Sequence, residues 1–353
     1  MINKKDYICA SPFDNLEMHE KRSFLCCPSW VTKWLPEGLG AKESFNSQEA
    51  KEIRNSILDG SYRYCDDKQC PFLMSKNPSS TIISPLFLKK DLPDSIKQRI
   101  EAHKNNKEFS PRTIQFSFDR SCNLQCPSCR IGIITANSKK IEEVHKTIEE
   151  VEKDYGAEVR TLYITGSGDP FVSVAFRNFL RNFDKSKWPK LTTIHLHTNA
   201  TKWDKKMWDS MKNIHPYVKT CEISIDAATK DTYENKTRIG GNWDELIDNL
   251  KFIATIPTLK YVKPSFVVQQ KNYKEIKLFY DLMSDIFGNR ANIFYGKINN
   301  WGTFTESEFN EAAVWKPEHP EHEDFVEEVN RALRSQRIWT NLKEFTTPKK
   351  TLL

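Results

Sequence analysis

Three cysteines within eight residues constrain this chain more than any other feature of its sequence. Cys122, Cys126 and Cys129 lie in the run Ser-Cys-Asn-Leu-Gln-Cys-Pro-Ser-Cys-Arg, directly after an apolar segment. Three thiolates at this spacing can bind three irons of a cubane cluster and leave the fourth iron open. A protein that only carried electrons would normally supply a fourth cysteine, so another molecule is expected to ligate the last iron. Zinc is the alternative, although zinc normally takes four Cys or His ligands and no close fourth ligand follows.

From residue 113 onward, apolar strands alternate with amphipathic helices, which is the pattern of a parallel sheet with crossover helices. Six strands are predicted: Thr113 to Phe118, Val159 to Thr165, Thr192 to Thr198, Thr220 to Ile225, Pro264 to Val268 and Asn292 to Ile298. A closed eight-unit barrel needs about 250 residues, so six units in this shorter stretch favour an open, partial barrel.

The cysteine run follows the first strand, at the carboxyl end where barrel enzymes place their chemistry. Asp119 and Arg120 are candidates for positioning this loop. Arg130 follows the last cysteine, and a role on the protein surface is favoured for it over a role in tuning the charge of a cluster.

Five of the nine cysteines lie in the first seventy residues, and these five thiols predict a second metal site: Cys9, Cys26, Cys27, Cys65 and Cys70. The fold class expected is α/β, a partial (β/α)6 TIM-like barrel with a small N-terminal Cys-rich metal-cluster domain. The predicted boundaries are 1–87 for the Cys-rich domain, 88–112 for a helical linker, 113–304 for the barrel and 305–353 for a C-terminal tail.

Composition narrows the class of protein further. No apolar run approaches the ~20 residues of a membrane span, and the first residues lack the apolar stretch of a signal peptide, which predicts a cytoplasmic location. Nine cysteines in such a chain argue for metal or redox chemistry over disulfides. The net charge of +6 is mild, and its lysines are interspersed with acidic residues, which argues against nucleic acid as a partner.

With Cys122, Cys126 and Cys129 at this spacing, the sequence resembles the radical S-adenosylmethionine (radical SAM) superfamily. The resemblance implies a 4Fe-4S cluster whose open iron is chelated by the amino and carboxylate groups of SAM. It further implies reductive cleavage of SAM to a 5'-deoxyadenosyl radical, which abstracts hydrogen from a substrate. An electron donor such as flavodoxin or ferredoxin and the same six-unit partial barrel are implied as well.

The resemblance continues where the second and third strands end. The segment from Gly166 to Pro170 looks like a variant of the family's Gly-Gly-Glu-Pro-like motif, whose backbone pairs with the SAM amino group. It departs from that motif by Ser167 and by Asp169 in place of Glu. Asn199, in His-Thr-Asn, resembles the family's Thr-Asn turn, which faces the active site, and an ordinary turn residue is an equal alternative.

The fourth strand is followed by the most specific part of the resemblance. Ser224 and Asp226 share one face of the strand. With the later Arg-Ile-Gly-Gly that begins at Arg238, they resemble the branch of the superfamily with an extra Cys-rich domain. By this resemblance Ser224 contacts SAM and Arg238 binds its carboxylate, whereas a salt bridge from Arg238 to Glu234 is the alternative. The cofactor-binding residues implied are Gly166, Ser167, Gly168, Asp169, Asn199, Ser224, Asp226 and Arg238.

The N-terminal cysteines resemble the small auxiliary-cluster module called SPASM or, in its shorter form, twitch. The matching marks are Cys9 in Cys-Ala-Ser-Pro-Phe, the pair Cys26 and Cys27, the segment from Ser44 to Gly60, and then Cys65 and Cys70. Family members usually carry this module after the barrel, so its position here is a departure. The resemblance implies an auxiliary 4Fe-4S cluster with four ligands from five candidates, Cys26 and Cys27 competing for one place. Zinc at the same thiolates is the alternative.

The sequence therefore predicts a radical SAM enzyme that binds SAM and acts on a peptide or protein, because many enzymes of the auxiliary-cluster branch do so. One alternative is modification of a small metabolite, sugar or nucleotide, since one scaffold hosts many substrates. Another is a non-catalytic Fe-S or zinc protein that binds a partner. No catalytic side chain is identified by the sequence.

Overall fold

The computed structural model describes residues 3–75, 84–333, 338–342 and 345. The chain divides into two compact units. The first comprises Met1–Asp119, Asn137–Ser167 and Phe183–Ile194, and the second comprises Arg120–Ala136, Gly168–Asn182 and His195–Leu353. Residues 76–83 of the predicted Cys-rich domain, and most of the predicted tail after residue 342, lie outside the described residues.

The strands of the first unit form a small parallel sheet with an antiparallel edge. The strands of this unit are β1 (Tyr7–Cys9), β2 (Asn15–His19), β3 (Ser23–Phe24), β4 (Leu86–Leu88), β5 (Thr113–Ser117) and β6 (Thr161–Ile164), of which β2, β3, β5 and β6 belong to the sheet. The order in the sheet is β6-β5-β2-β3, with β2 parallel to β5 and Leu16 opposite Ile114. Strand β3 runs antiparallel to β2, and β1 pairs with β4 in a separate antiparallel ribbon.

Six described helices complete the first unit: α1 (Ser11–Asp14), α2 (Ala41–Asn46), α3 (Gln48–Leu58), α4 (Pro71–Met74), α5 (Asp94–Lys104) and α6 (Ser138–Tyr155). Helix α6 begins where the Asn137 side chain accepts the Lys140 amide, and it buries Val144, Ile148 and Val151 at helical spacing. Such an amphipathic face is what the sequence predicts for this segment.

Strand β7 (Thr193–Thr198) contains residues of both units, since the first unit ends at Ile194 and the second resumes at His195. The other strands of the second unit are β8 (Val218–Ser224), β9 (Tyr261–Val268), β10 (Ile293–Lys297) and β11 (Ile338–Thr340). They follow one another in the order β8-β9-β10-β11 and are all parallel.

The described helices of the second unit are α7 (Val174–Arg181), α8 (Lys205–Asp209), α9 (Lys230–Thr232), α10 (Trp243–Ala254), α11 (Ile276–Phe287), α12 (Glu306–Ala312) and α13 (His322–Leu333). Strand β8 buries Cys221 and Ile223 on one face, as its neighbour β9 buries Val262 and Phe266. Cys221 is thus a core residue, which suits a free cysteine because its side chain behaves as a small apolar group.

All six predicted strands are present, from β5 to β10, and each lies within a few residues of its predicted bounds. The parallel strands and intervening helices confirm the α/β class and are consistent with the expected partial barrel. Strands β2 and β3 are not predicted. They come from the region expected to form only a Cys-rich domain, and β2 pairs directly with β5. The domain boundaries themselves stay a prediction.

Candidate active site

The cysteine run folds into a compact loop within the second unit. Cys122 and Cys126 are buried together with Leu124, and Cys129 packs against them. Two backbone hydrogen bonds pair Cys122 with Ile134 across the loop, and the Cys129 amide donates to the Cys126 carbonyl at 2.9 Å. The loop brings three thiols into one small region, which a cluster with three protein ligands requires.

Each thiol of this loop receives an N–H from a different side chain. The donor-to-sulfur distances are 3.5 Å from Asn199 Nδ2 to Cys122, 3.5 Å from Arg238 Nη1 to Cys126 and 3.2 Å from Arg130 Nη2 to Cys129. Burial raises the pKa of Cys122 and of Cys126, while the charge of Arg130 opposes the first shift and that of Arg238 the second. Because N–H donors and positive charges stabilise thiolates, this donor set fits an iron-sulfur cluster.

The prediction of a surface role for Arg130 is wrong. Its side chain is buried, with 6% of the residue exposed, and its Nη1 donates to the Arg120 carbonyl at 2.9 Å. The backbone of the loop turns tightly after Cys126, whose carbonyl accepts the Arg130 amide at 3.0 Å. This turn directs the guanidinium back along the loop, an outcome that hydrophobicity patterns do not reveal for a charged residue.

Asp169 connects the cysteine loop to the end of β7. Its Oδ2 accepts the Thr198 hydroxyl at 2.7 Å and the Asn199 amide at 2.8 Å, and its Oδ1 accepts the Phe171 amide at 2.9 Å. The Asp169 amide donates to the Ser121 carbonyl at 2.8 Å. Burial raises the pKa of this carboxyl, and the three donors act against that shift. Asp169 therefore fixes the positions of neighbouring backbone segments.

For Asn199 the sequence leaves two alternatives open, a residue that faces the active site and an ordinary turn residue, and its side chain makes contacts of both kinds. Its Oδ1 accepts the Thr201 amide at 2.9 Å and the Thr201 hydroxyl at 2.6 Å, which is the geometry of a turn residue. Its Nδ2 points the other way, to Cys122 Sγ and, at 3.1 Å, to Asn123 Oδ1. The turn therefore aims the amide of Asn199 at the cysteine loop.

Arg238 forms a buried ion pair with Asp226. Nη2 lies 2.6 Å from Asp226 Oδ2, and both side chains are almost fully buried. The expected alternative, a salt bridge to Glu234, is wrong because the Glu234 carboxylate accepts the Trp243 amide instead. Although burial disfavours a charged guanidinium, Asp226 and Cys126 keep the pKa of Arg238 raised. The positive charge thus stays beside the cysteine loop.

Asp226 itself is held in an uncommon backbone conformation. It has a φ of 59°, and its Oδ1 accepts the Val267 amide at 2.7 Å. Its carbonyl accepts the Asn272 amide at 2.9 Å. A non-glycine residue in the left-handed region is destabilised, so these bonds are needed to keep it there. They turn the chain after β8 so that the carboxylate meets Arg238.

A row of polar side chains lies on one face of β7, β8 and β9, and the sequence analysis does not single it out. Glu222 and Lys263 form an ion pair of 2.6 Å between neighbouring strands, and Ser224 lies 3.0 Å from His197 Nε2. His195 Nδ1 contacts the Thr220 hydroxyl on the same face at 2.7 Å. The polar residues alternate with apolar ones along each strand, so the two-residue period could have revealed this polar face.

The segment from Gly166 to Pro170 is divided between the two units, with Gly166 and Ser167 in the first and the residues from Gly168 onward in the second. In the first unit, Ser167 Oγ donates to the Ser117 carbonyl, and a Cβ at Gly166 would stand 2.5 Å from Gln115 Nε2. The small residue therefore permits close approach at the end of β6. Gly168 and Asp169 begin the next segment of the second unit. Binding of SAM by any of these residues stays a prediction.

The five N-terminal cysteines lie on three segments of the first unit. The first segment contains Cys9, the last residue of β1, and the second contains the adjacent residues Cys26 and Cys27. The third contains Cys65 and Cys70, which precede α4. A bridge between Val31 and Cys65 joins the second segment to the third. Tyr62 Oη donates to the Tyr7 carbonyl at 3.1 Å and joins the third segment to the first. These contacts gather the segments around a common region.

The Cys26 thiol interacts electrostatically with all four of the other N-terminal thiols. Burial raises its pKa, and the charges of the other four, Cys9, Cys70, Cys27 and Cys65, raise it further. Burial also raises the pKa of Cys9 to about 12 and raises the pKa values of Cys65 and Cys70. Metal binding at these thiols must therefore displace protons.

All nine cysteines lie in the described part of the chain, and all are free thiols. Within the described ranges, no group of three or more His, Cys, Asp or Glu side chains could hold a single metal ion. A cubane cluster binds each thiolate to a different iron, so its ligands stand farther apart than those of one ion.

Across residues 3–75 and 84–333 and the short described stretches beyond them, no helix has the length and apolarity to cross a membrane.

Residues 116–262 match the model of the Radical SAM superfamily. The matched stretch contains the cysteine loop, Asp169, Asn199, Asp226 and Arg238. A radical SAM domain thus occupies this part of the chain, and the family implies SAM and a 4Fe-4S cluster.

Several solved structures are similar to the chain at low identity. SuiB of Streptococcus suis bound to S-adenosylmethionine is 15% identical with a TM-score of 0.44, and the match covers 84% of this chain and 62% of that one. TYW1 with a lysine-pyruvate adduct bound is 16% identical with a TM-score of 0.38, covering 62% of this chain and 72% of that one. The chain thus spans less than two thirds of the SuiB chain. A search of curated proteins gave no match.

Proposed function

We propose that this enzyme cleaves SAM reductively at a 4Fe-4S cluster bound by Cys122, Cys126 and Cys129, and that it abstracts hydrogen from a substrate. The observation that carries the proposal is the loop in which three clustered thiols each receive an N–H from a different side chain. When bound, the cluster and SAM supply an electron and a 5'-deoxyadenosyl radical. The electron would come from a donor such as flavodoxin or ferredoxin.

The chain's own residues hold the site in place. Asp169 fixes Asn199 and the start of the cysteine loop through its hydrogen bonds, so the amide of Asn199 keeps its direction toward Cys122. Arg238 carries a positive charge that would attract the SAM carboxylate, while Asp226 limits its motion. The other residues proposed to hold SAM are Gly166, Ser167, Gly168 and Ser224.

We propose that the substrate lies along the polar face of β7 to β9. Parallel strands usually present apolar side chains on both faces, because helices or other strands cover them. Here the pair of Glu222 and Lys263 offers both signs of charge, and His197 with Ser224 offers hydrogen bonds. This face suits a polar or zwitterionic group and disfavours a wholly apolar one.

The N-terminal cysteines are proposed to form a SPASM- or twitch-like auxiliary site. Cys9, Cys65 and Cys70 are proposed ligands, and Cys26, whose thiol interacts with all three, is proposed as the fourth in competition with Cys27. A 4Fe-4S cluster is the proposed occupant, and zinc is the alternative, for which the thiols would have to move closer together. The auxiliary module favours a peptide or protein substrate, whereas a small metabolite remains the alternative that the polar face would also accept.

The test is release of 5'-deoxyadenosine from SAM by anaerobically reconstituted, dithionite-reduced protein. We expect release by the wild type and at least about a hundredfold less from Cys126→Ala, because loss of one ligand removes the cluster on which cleavage depends. Cys221→Ala is the matched control, since it removes a buried thiol from the core of β8. Equal release by wild type and Cys126→Ala would contradict the proposed function.

A further inference from the structure

The guanidinium of Arg130 is fixed beside the cysteine loop at two points. Nη2 donates to Cys129 Sγ at 3.2 Å, and Nη1 donates to the Arg120 carbonyl at 2.9 Å. The backbone amide of Arg130 donates to the Cys126 carbonyl at 3.0 Å. One residue thereby connects the stretch before the first cysteine, the turn after the second, and the sulfur of the third.

Two of the three donors to the loop are cations, and the third, Asn199, is neutral. The charge of Arg238 also interacts with Asp226, at 2.6 Å. The charge of Arg130 interacts with all three thiols of the loop, and its guanidinium donates to a carbonyl oxygen and to the Cys129 sulfur. A buried cation interacts strongly with nearby charge because the surroundings screen it weakly.

We propose that Arg130 is a positioning residue that holds Cys129 in place for cluster binding and raises the potential at which the cluster accepts its electron. This inference rests on the proposed function, in that the three cysteines are taken as cluster ligands. Reduction adds one negative charge to the cluster. A cation and an N–H at a ligand sulfur stabilise the reduced form more than the oxidised form, and hydrogen bonds to sulfur are known determinants of cluster potential.

The experiment is a redox titration of reconstituted full-length protein, monitored by electron paramagnetic resonance without SAM. The variants are Arg130→Gln, which removes the charge, and Arg130→Lys, which keeps the charge but loses the planar fork. Arg120→Gln is the matched control: it removes one positive charge from the same loop, yet its side chain is exposed and only its carbonyl contacts Arg130. Spectra of Cys126→Ala supply the signal of any auxiliary cluster, which is then subtracted.

We expect the midpoint potential of Arg130→Gln to be more negative than that of the wild type, with Arg130→Lys between them and Arg120→Gln close to the wild type. Unchanged potentials in both Arg130 variants would overturn the inference. An equal shift in Arg120→Gln would also overturn it, since the effect would then be one of net charge rather than of contact. If Arg130→Gln binds no iron, the inference is tested by comparing the midpoint potential of Arg130→Lys with that of the wild type.

Addition of SAM to the reduced wild type separates this inference from the proposed function. A spectrum that changes with SAM supports SAM binding at the cluster, whatever the Arg130 variants show. A spectrum that does not respond to SAM counts against the proposed function, while the potentials still report on the contact between Arg130 and Cys129.

Discussion

Three hydrogen bonds end on the carboxylate of Asp169, and each fixes a different group around the cysteine loop. Asp169 follows β6 in the chain, and its amide donates to the Ser121 carbonyl in the cysteine loop. The sequence's resemblance to a SAM-binding motif does not reveal that both oxygens are engaged by Thr198, Asn199 and Phe171. A motif indicates where a side chain lies along the chain, but the direction of the side chain depends on backbone turns that the motif does not specify.

Replacement of Asp169 by Asn is expected to lower the free energy of unfolding by about 2 kcal/mol, because one amide oxygen cannot accept all three donors and a buried donor loses its partner. Iron retention by the cysteine loop should fall as well. Chemical denaturation and iron analysis are the measurements. Asp184→Asn is the control, since Asp184 caps a helical turn and Asn caps such turns equally well. Equal losses in both variants would contradict the role assigned to Asp169.

At the scale of elements, the turn from Tyr233 to Gly241 determines where Arg238 points. Residues Tyr233–Thr237 form one turn of π-helix, and the Arg238 amide donates to the Tyr233 carbonyl at 2.8 Å. A Cβ at Gly241 would stand 2.5 Å from Tyr233 Cε1 and 2.9 Å from its hydroxyl. The ring is fully buried and cannot move away easily, so this glycine is required for the close return of the chain.

We expect Gly241→Ala to lower the free energy of unfolding by about 1–3 kcal/mol through overpacking against Tyr233. Deoxyadenosine release should fall with it, because the displaced turn carries Arg238 away from Cys126. Gly132→Ala is the control, as nothing lies within 4 Å of a Cβ there although the residue belongs to the cysteine loop. The explanation fails if the two alanine variants unfold at the same denaturant concentration.

The elements predicted best from the sequence are those with a strong period. Strands β5 to β10 alternate with helices such as α6, whose apolar residues recur at helical spacing, so local pattern alone defines them. Strands β2 and β3 are short and lie among cysteines, where no period is visible. The burial of Arg130 depends on the tight backbone turn after Cys126, which a hydrophobicity pattern does not reveal for a charged residue. The ion pair of Glu222 and Lys263 joins strands that are distant in sequence, so the pattern of one strand can show that its face is polar but not which side chains pair across it.

At the scale of the whole molecule, each unit has its own set of cysteines. The first unit contains the five N-terminal cysteines, and the second contains the three of the loop together with the core residue Cys221. Each set draws its thiols from segments that hydrogen bonds hold together within one unit. Two metal sites would therefore stabilise separate parts of the chain, because binding only to the folded form adds to stability.

Cys26→Ser and Cys27→Ser form a matched pair for the N-terminal site. With two four-iron clusters the wild type should bind about eight irons per chain, Cys26→Ser about four, and Cys27→Ser nearly as many as the wild type. Cys26→Ser should also unfold several degrees lower. Metal analysis and calorimetry are the measurements. Zinc in place of the missing iron would favour the zinc alternative, and equal metal loss in both variants would contradict the choice of Cys26.

Burial raises the pKa of Cys9 to about 12 and also raises the pKa values of its neighbours, which has a chemical consequence for the chain before it binds metal. Oxidants attack the thiolate and react slowly with the protonated thiol. Newly made chains would therefore resist sulfenic acid and disulfide formation while they wait for metal. The same protonation makes loading pH-sensitive, since alkaline conditions favour the release of protons that metal capture requires. We therefore expect the metal-free chain to oxidise slowly in air and its metallation rate to rise with pH, both because these thiols are buried.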